Sequence, residues 1–457
     1  MHKLKLDSDD LVSPTYAARS FSHDVPKYRL PAQGMSADAA YQLVHDELNL
    51  DGNPALNLAS FVTNWMEPQA DRLAAETLAK NLIDQDEYPQ IEVVHQRVVS
   101  MIGHMFHAPP GSGSTGTATI GSSEAIMLAM LAHKRSWQLQ REAEGLPADR
   151  PNMVMGADVH TCWEKFTRYF EVQARVVPMQ EGRYTIGADE VEPLLDERTI
   201  GVAGVLGTTF TGQMDDLASI DALLARVQSE RGWRIPLHVD AASGGFITPF
   251  SEPDLEWDFR LPGVRSINVS NHKFGLVYPG MGTVVFRERG DLPEELVFHI
   301  NYLGGDMPNY TLNFSRASNS VILQYFSLLR LGRAGFQQIV ASVLANAHAL
   351  AGKLAAIDGL DVLNDGSRFP IVVVRATDPE SADLVLLSHL LRERGWIVPA
   401  YTLPPNAEHV TVLRMVVKEN FSRDMVGLLA RDVGAAMRVL ARGPSKRARR
   451  TPKRPLY

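Results

Sequence analysis

The chain has 457 residues, 45% hydrophobic and 21% charged, and a net charge of −8. That length suffices for two or three domains with large cores, and the acidic balance argues against a body that binds nucleic acid. One cysteine, Cys162, excludes an intramolecular disulfide and suits a reducing compartment, and no apolar run approaches a membrane span of ~20 residues, so a cytoplasmic protein with no membrane partner is expected.

In chain order, Met1–Asp7 lacks the apolar core of a secretory signal. Residues 1–55 mix polar turns with one helical stretch, Ala37–Leu48, and read as an arm that packs on a neighbour. From 56 to 343, apolar strands are expected at Met153–Met155, Arg175–Pro178, Gly201–Leu206, Pro236–Asp240, Ser266–Val269 and Thr283–Phe286. Helices fall between them, at Ser122–Trp137 and at Ser219–Arg231, where Ile220, Leu223, Leu224 and Val227 share one face. This alternation predicts an α/β domain with a mostly parallel sheet covered on both sides. From about 344 to 441 the pattern changes. Helices at Ser342–Ile357, Ser381–Arg394 and Arg423–Ala441 and a strand at Pro370–Arg375 predict a smaller α+β domain. Residues 442–457 carry seven Lys/Arg, no acid and three prolines, so a disordered, solvated tail is expected, with a docking arm as the alternative.

The chemistry concentrates at two strand ends. Lys273 follows the apolar strand ending near Val269, inside Ser270-Asn271-His272-Lys273-Phe274-Gly275. A lysine at a strand end is ordinarily solvated; among apolar neighbours, burial disfavours the ammonium and leaves a nucleophilic amine. Asp240, in His238-Val239-Asp240-Ala241-Ala242-Ser243-Gly244-Gly245, ends another strand and faces the same way as His238. A helix cap is the plain alternative for Asp240. Together, a lysine that can bond an aldehyde and an aspartate that can hold a ring nitrogen protonated are what pyridoxal phosphate chemistry needs. Thr117-Ala118-Thr119-Ile120-Gly121-Ser122-Ser123 opens an apolar helix with two hydroxyls in its first turn, a phosphate-binding pattern whose plain alternative is a serine cap. Gly111–Gly116 spells G-x-G-x-x-G, but no strand precedes it, so a dinucleotide site is rejected and a flexible polar loop expected. Thr209 lies in a hydroxyl-rich strand end, Gly207–Gly212. His160, after a short apolar strand, could stack on an aromatic cofactor or be structural.

Gly121-Ser122-Ser123-Glu124-Ala125, His238–Phe246 and Ser270–Gly275 together resemble the PLP-dependent group II amino-acid decarboxylases. Glu47–Asn53, Ile83–Gln90, Trp257–Pro262, Tyr302–Gly305 and Asn313–Arg316 resemble the glutamate decarboxylase subfamily in particular, and the likeness spans about residues 40 to 440. It implies a PLP-dependent transferase type I (aspartate aminotransferase-like) large domain and a homodimer at least; the differing N-terminal arm leaves a hexamer open. By resemblance, Lys273 bonds the cofactor aldehyde, Asp240 pairs with its ring nitrogen, Ala242 packs on one ring face and His160 on the other, where some bacterial relatives have glutamine. Ser122, Ser123 and His272 are implied phosphate ligands and Thr209 a cofactor contact. Phe314 and Ser315 would reach the neighbouring subunit's phosphate. Tyr302 would sit on a mobile loop that helps deliver a proton, and Arg414 would hold a substrate carboxylate.

The implied reaction is L-glutamate to 4-aminobutyrate and carbon dioxide, with Ser60, Phe61 and Asp84 holding the distal carboxylate; no metal is expected. The family usually has threonine at Ser60, and the hydroxyl is kept. Two carboxylates at hydrogen-bonding distance must share a proton, so a preference for acidic conditions is expected. The alternative is a group II decarboxylase or PLP lyase acting on another amino acid, such as aspartate or an aromatic one. The tail has no histidine after His409, so a histidine-gated closure known in some relatives is not carried over, and its prolines argue against a calmodulin-binding helix.

Overall fold

The computed structural model describes residues 27–110, 115–300, 307–378 and 382–441. Tyr302 and the basic tail from 442 lie outside the described residues. The chain divides into two units, at Leu56 and Asn57. In the first, helix α1 (Ala37–Leu48) begins at Ser36, whose Oγ accepts the Ala39 amide at 3.2 Å. Its span is the one expected from sequence.

The second unit holds a seven-stranded sheet of β1 (Thr115–Thr119), β2 (Asn152–Gly156), β3 (Gln173–Val177), β4 (Thr199–Val205), β5 (Leu237–Asp240), β6 (Val264–Val269) and β7 (Gly282–Phe286), in the order β1-β7-β6-β5-β4-β2-β3. Strand β7 alone runs against the direction of the other six. Strands β2, β4, β5 and β7 are buried along their whole length. A strand covered on both faces favours apolar residues on both, which is why these read as largely apolar runs, broken by Asn152, Thr199, His238, Asp240 and Thr283. Around them lie α2 (Pro68–Thr77), α3 (Pro89–Met105), α4 (Ser122–Ala143), α5 (Cys162–Tyr169) and α6 (Leu217–Arg231). Helix α6 starts at Asp216, whose side chain accepts the Ser219 amide at 3.1 Å, and stops at Gly232, whose φ of 74° suits a residue without Cβ.

Two expectations are corrected. The polar loop expected over Gly111–Gly116 ends early: Thr115 and Gly116 already belong to β1, while 111–114 lie outside the described residues. The strand Thr-Gly-Thr-Ala-Thr has no apolar signature, and its glycine has a packing cause. A Cβ on Gly116 would meet the Val284 carbonyl oxygen at 2.5 Å and Val99 Cγ1 at 2.8 Å. The helix expected from Ser342 begins far earlier, as α7 (Asn319–Ala355), interrupted at Gly332 by φ 56°, ψ −174°.

Between β7 and α7 lies a hairpin of β8 (Phe298–Ile300) and β9 (Met307–Asn309). The smaller C-terminal domain is an antiparallel sheet of β10 (Leu360–Asp365), β11 (Ile371–Ala376), β12 (Ala400–Thr402) and β13 (Thr411–Val416), ordered β10-β11-β13-β12, with α8 (Leu384–Arg392) and α9 (Arg423–Ala441). No helix among the described residues is long and apolar enough to cross a membrane.

Candidate active site

The parallel strands end on one side of the sheet, and the segments after them make the site. There β1 leads into the first turn of α4, β2 into Asp158 and His160, β4 into Gly207–Thr209, β5 into Ala242 and Ser243, and β6 into His272 and Lys273. These segments line a cavity of 230 Å³. It gathers eight of the residues singled out from sequence: Ser122, Ser123, His160, Thr209, Asp240, Ala242, His272 and Lys273. A larger cleft of 820 Å³ beside β1, lined in part by Glu92, His95 and Arg316, contains none of them.

Lys273 donates from Nζ to Ser243 Oγ at 2.9 Å. Burial pushes its amine down to about 8, with Asp240 opposing and Arg414 reinforcing the shift. Its Nζ and the Arg414 guanidinium lie 4.8 and 4.9 Å from the centre of the Phe61 ring. Arg414, on β13, donates to the carbonyls of Thr209 at 2.7 Å and Ala59 at 2.6 Å, while its buried Nε has no partner. A guanidinium has five N–H donors, so donors remain for a carboxylate. Ser60 Oγ accepts the Val62 amide at 3.2 Å.

Asp240 is not a helix cap. Its Oδ1 accepts Asn268 Nδ2 at 2.9 Å and the Ala242 amide at 3.1 Å, and its Oδ2 accepts Trp163 Nε1 at 2.9 Å. His238 faces the same way as Asp240 but stays behind the cavity, fully buried. Ser122 and Ser123 are not simple caps either: α4 starts at Gly121 without a side-chain cap, and Ser122 Oγ bonds Ser270 Oγ at 2.6 Å. His272 Nδ1 accepts the Met281 amide at 3.2 Å, and burial pushes its pKa down to about 4. The proton of the neutral ring therefore sits on Nε2, as a donor. Gly121, at φ 76°, keeps this corner open, since a Cβ there would meet His272 Cε1 at 3.1 Å. His160 is exposed at the cavity mouth, and its pKa is lowered by partial burial and by the Lys273 charge.

Ser60, Phe61 and Arg414 are not among the residues lining that cavity, and three more expected residues lie off it. Asn81 Nδ2 donates to Asp84 Oδ1 at 3.2 Å and to Ser315 Oγ at 3.4 Å, and Phe314 and Ser315 are exposed; none of the three lines the cavity. Four residues escaped the sequence reading: Ser243, Trp163, Asn268 and Asp158. Asn268 had a signal, since Ser266 and Asn268 alternate as polar residues in an apolar strand, and Asn268 pairs in register with Asp240. Asp158 is buried with neither carboxylate oxygen hydrogen-bonded at short range, and burial raises its pKa to about 7 with Asp240 adding to the shift.

These residues fit pyridoxal phosphate. A depressed lysine amine and a hydrogen-bonded aspartate share one cavity, and hydroxyls, a histidine donor and a helix N-terminus form a corner that a Cβ would fill.

The pyridoxal-dependent decarboxylase conserved domain matches residues 29–376. Glutamate decarboxylase of Solanum lycopersicum is 50% identical over 93% of this chain and 86% of its own length. That of Aliivibrio fischeri is 40% identical over 97% of this chain and 96% of its own. The solved glutamate decarboxylase of Lactobacillus brevis superposes with a TM-score of 0.92 at 42% identity, covering 94% of this chain and 99% of the other.

Proposed function

The chain belongs to the pyridoxal-dependent decarboxylase family, and from that premise we propose that it removes the α-carboxyl group of L-glutamate as carbon dioxide and leaves 4-aminobutyrate. The observation that carries this reading is the convergence of Lys273 and Asp240 on one cavity, with the Lys273 amine and the Arg414 guanidinium over the same Phe61 ring, in a chain whose near-full-length relatives are glutamate decarboxylases.

Pyridoxal phosphate, when bound, supplies an electron sink for the bond to the departing carboxyl group. Lys273 would hold its aldehyde end, and the depressed pKa provides the neutral amine this requires. Asp240 would hold the ring nitrogen protonated. Ser122, Ser123, His272 and the amides of the first turn of α4 would hold the phosphate. Ala242 and His160 would bound the ring faces, and Thr209 would contact its edge. Arg414 would fix the substrate through a carboxylate, and its own carbonyl partners keep the guanidinium aimed. Tyr302 keeps its expected role in proton delivery.

Asp84, Phe314 and Ser315 would act across a subunit interface. Asn81 ties Asp84 to Ser315, and the cluster lies off the Lys273 cavity of its own chain. A dimer is thus the smallest active form in this reading. Ser60, Phe61 and Asp84 would select the distal carboxylate, which favours glutamate over an aromatic substrate. Cytoplasmic residence is compatible with the single, buried cysteine. The test is purified protein with pyridoxal phosphate and a panel of glutamate, aspartate and aromatic amino acids at mildly acidic pH. Carbon dioxide and 4-aminobutyrate from glutamate alone are expected; release from aspartate or an aromatic amino acid instead would replace the substrate.

A further inference from the structure

Behind the cavity, polar side chains cross the sheet where apolar ones would be expected. Asn268 and Ser266 on β6, His238 on β5 and His133 on α4 are all buried. Their contacts form one chain. Asn268 Nδ2 lies 2.9 Å from Asp240 Oδ1, and Asn268 Oδ1 lies 2.7 Å from His238 Nε2. His238 Nδ1 lies 2.7 Å from Ser266 Oγ, which lies 2.9 Å from His133 Nε2.

The direction of every hydrogen bond follows from its Asp240 end. The carboxylate is acceptor-only, so Asn268 must turn its NH₂ group to it and its oxygen to His238. His238 Nε2 must then carry the proton. In a neutral ring Nδ1 is the acceptor, so the Ser266 hydroxyl donates to it. Ser266 Oγ is then free to accept from His133 Nε2–H. That leaves His133 Nδ1 as a bare lone pair, and among these five linked side chains it is the one polar atom without a partner. The opposite direction would place an orphan N–H there, which buried structure rarely tolerates. Burial keeps both rings neutral, pushing His133 down to about 3 and His238 to about 4; Arg265 and His238 face His133, and Asp240 faces His238.

We infer that His133, Ser266, His238 and Asn268 form a one-way hydrogen-bond relay that holds Asp240 as an oriented hydrogen-bond acceptor, and that His133 is its distal positioning residue. Donors aligned in one direction polarise one another, so the effect of the far end reaches the carboxylate. The relay also joins two parts of the site. His133 lies on α4 about three turns beyond Ser122 and Ser123, so the helix that meets the phosphate also steadies the residue that meets the ring nitrogen.

This inference rests on the assignment of Asp240 to the ring nitrogen, and the experiment separates the two. Apo-protein variants are titrated with pyridoxal phosphate, and the dissociation constant is read from absorbance. His133→Phe keeps a ring but removes the donor, and is expected to weaken cofactor binding about three- to tenfold. His133→Gln restores an N–H near the position of Nε2 and is expected within about twofold of wild type. Equal affinity for His133→Phe and wild type overturns the relay, and so does equal weakening by Phe and Gln, which would mean packing alone. Should His133→Phe fail to fold, Ser266→Ala breaks the next link and must weaken binding likewise. Asp240→Ala is the reference: wild-type affinity there sinks the assignment of Asp240 itself, whereas weakening there without weakening at His133→Phe sinks only the relay.

Discussion

At the residue scale, Lys273 and Asp240 are set up in different ways. Burial pushes the lysine amine down to about 8. The aspartate is oriented by three donors that occupy both of its oxygens. Removing the carboxylate removes the group that would hold the ring nitrogen protonated, so Asp240→Ala should lower kcat at least about 100-fold, on the scale of losing a preorganised charge-stabilising group. Steady-state 4-aminobutyrate production measures this; turnover within a few-fold of wild type would refute the assignment. Borohydride treatment of the cofactor-loaded protein followed by peptide mass spectrometry should find the label on Lys273 and on no other lysine.

At the element scale, β1 depends on a glycine. The Cβ of Gly116→Ala would fall 2.5 Å from the Val284 carbonyl oxygen, and backbone cannot yield as a side chain does. The substitution should cost about 1–3 kcal/mol, as overpacking does, visible as a lower urea midpoint. The loop after β2 carries a pH-dependent load. Asp158 faces Asp215, Asp240 and Arg183; burial raises both Asp158 and Asp215, with Asp240 adding to the rise at Asp158 and Asp158 to the rise at Asp215. A carboxyl raised to about 7 in the fold holds its proton where the unfolded chain has lost it. Its stabilising contribution is therefore full below the unfolded value near 4 and is lost as pH rises through about 7. Asp158→Asn should match wild-type thermal stability below about pH 4 and exceed it at pH 8. A mutant less stable than wild type at pH 8 would contradict this account.

At the scale of the whole molecule, the separation of the Asp84–Ser315 cluster from the Lys273 cavity makes a geometric prediction. If each site takes Lys273 from one subunit and Asp84 from the other, Lys273→Ala and Asp84→Ala proteins should each be nearly inactive. Refolded together as a random mixture, they should regain about a quarter of wild-type activity, because half the dimers are hybrids with one intact site of two. No recovery, despite confirmed hybrid dimers, would place the whole site within one chain.

Much of this was legible along the chain. The buried strands announced themselves because a strand covered on both faces is mostly apolar, and Lys273 and Asp240 stood out as polar residues where those runs end, Ser122 as a hydroxyl opening an apolar helix. The helix Arg423–Ala441 carries its own periodicity and was readable to its ends. Strand β1 was not readable, because Thr-Gly-Thr-Ala-Thr is shaped by the neighbouring strand rather than by its own propensity. Trp163 and Asn268 were missed for the same reason: their importance lies in reaching Asp240 from 77 and 28 residues away. Local sequence determined which segments could be strands and helices and which side chains could do the chemistry, because periodicity and residue type are properties of neighbours in the chain. Tertiary structure alone decided which donors surround Asp240, how far the Lys273 amine is depressed, and that Asp84 and Ser315 lie off the cavity, because hydrogen bonds and desolvation depend on groups brought together only by folding.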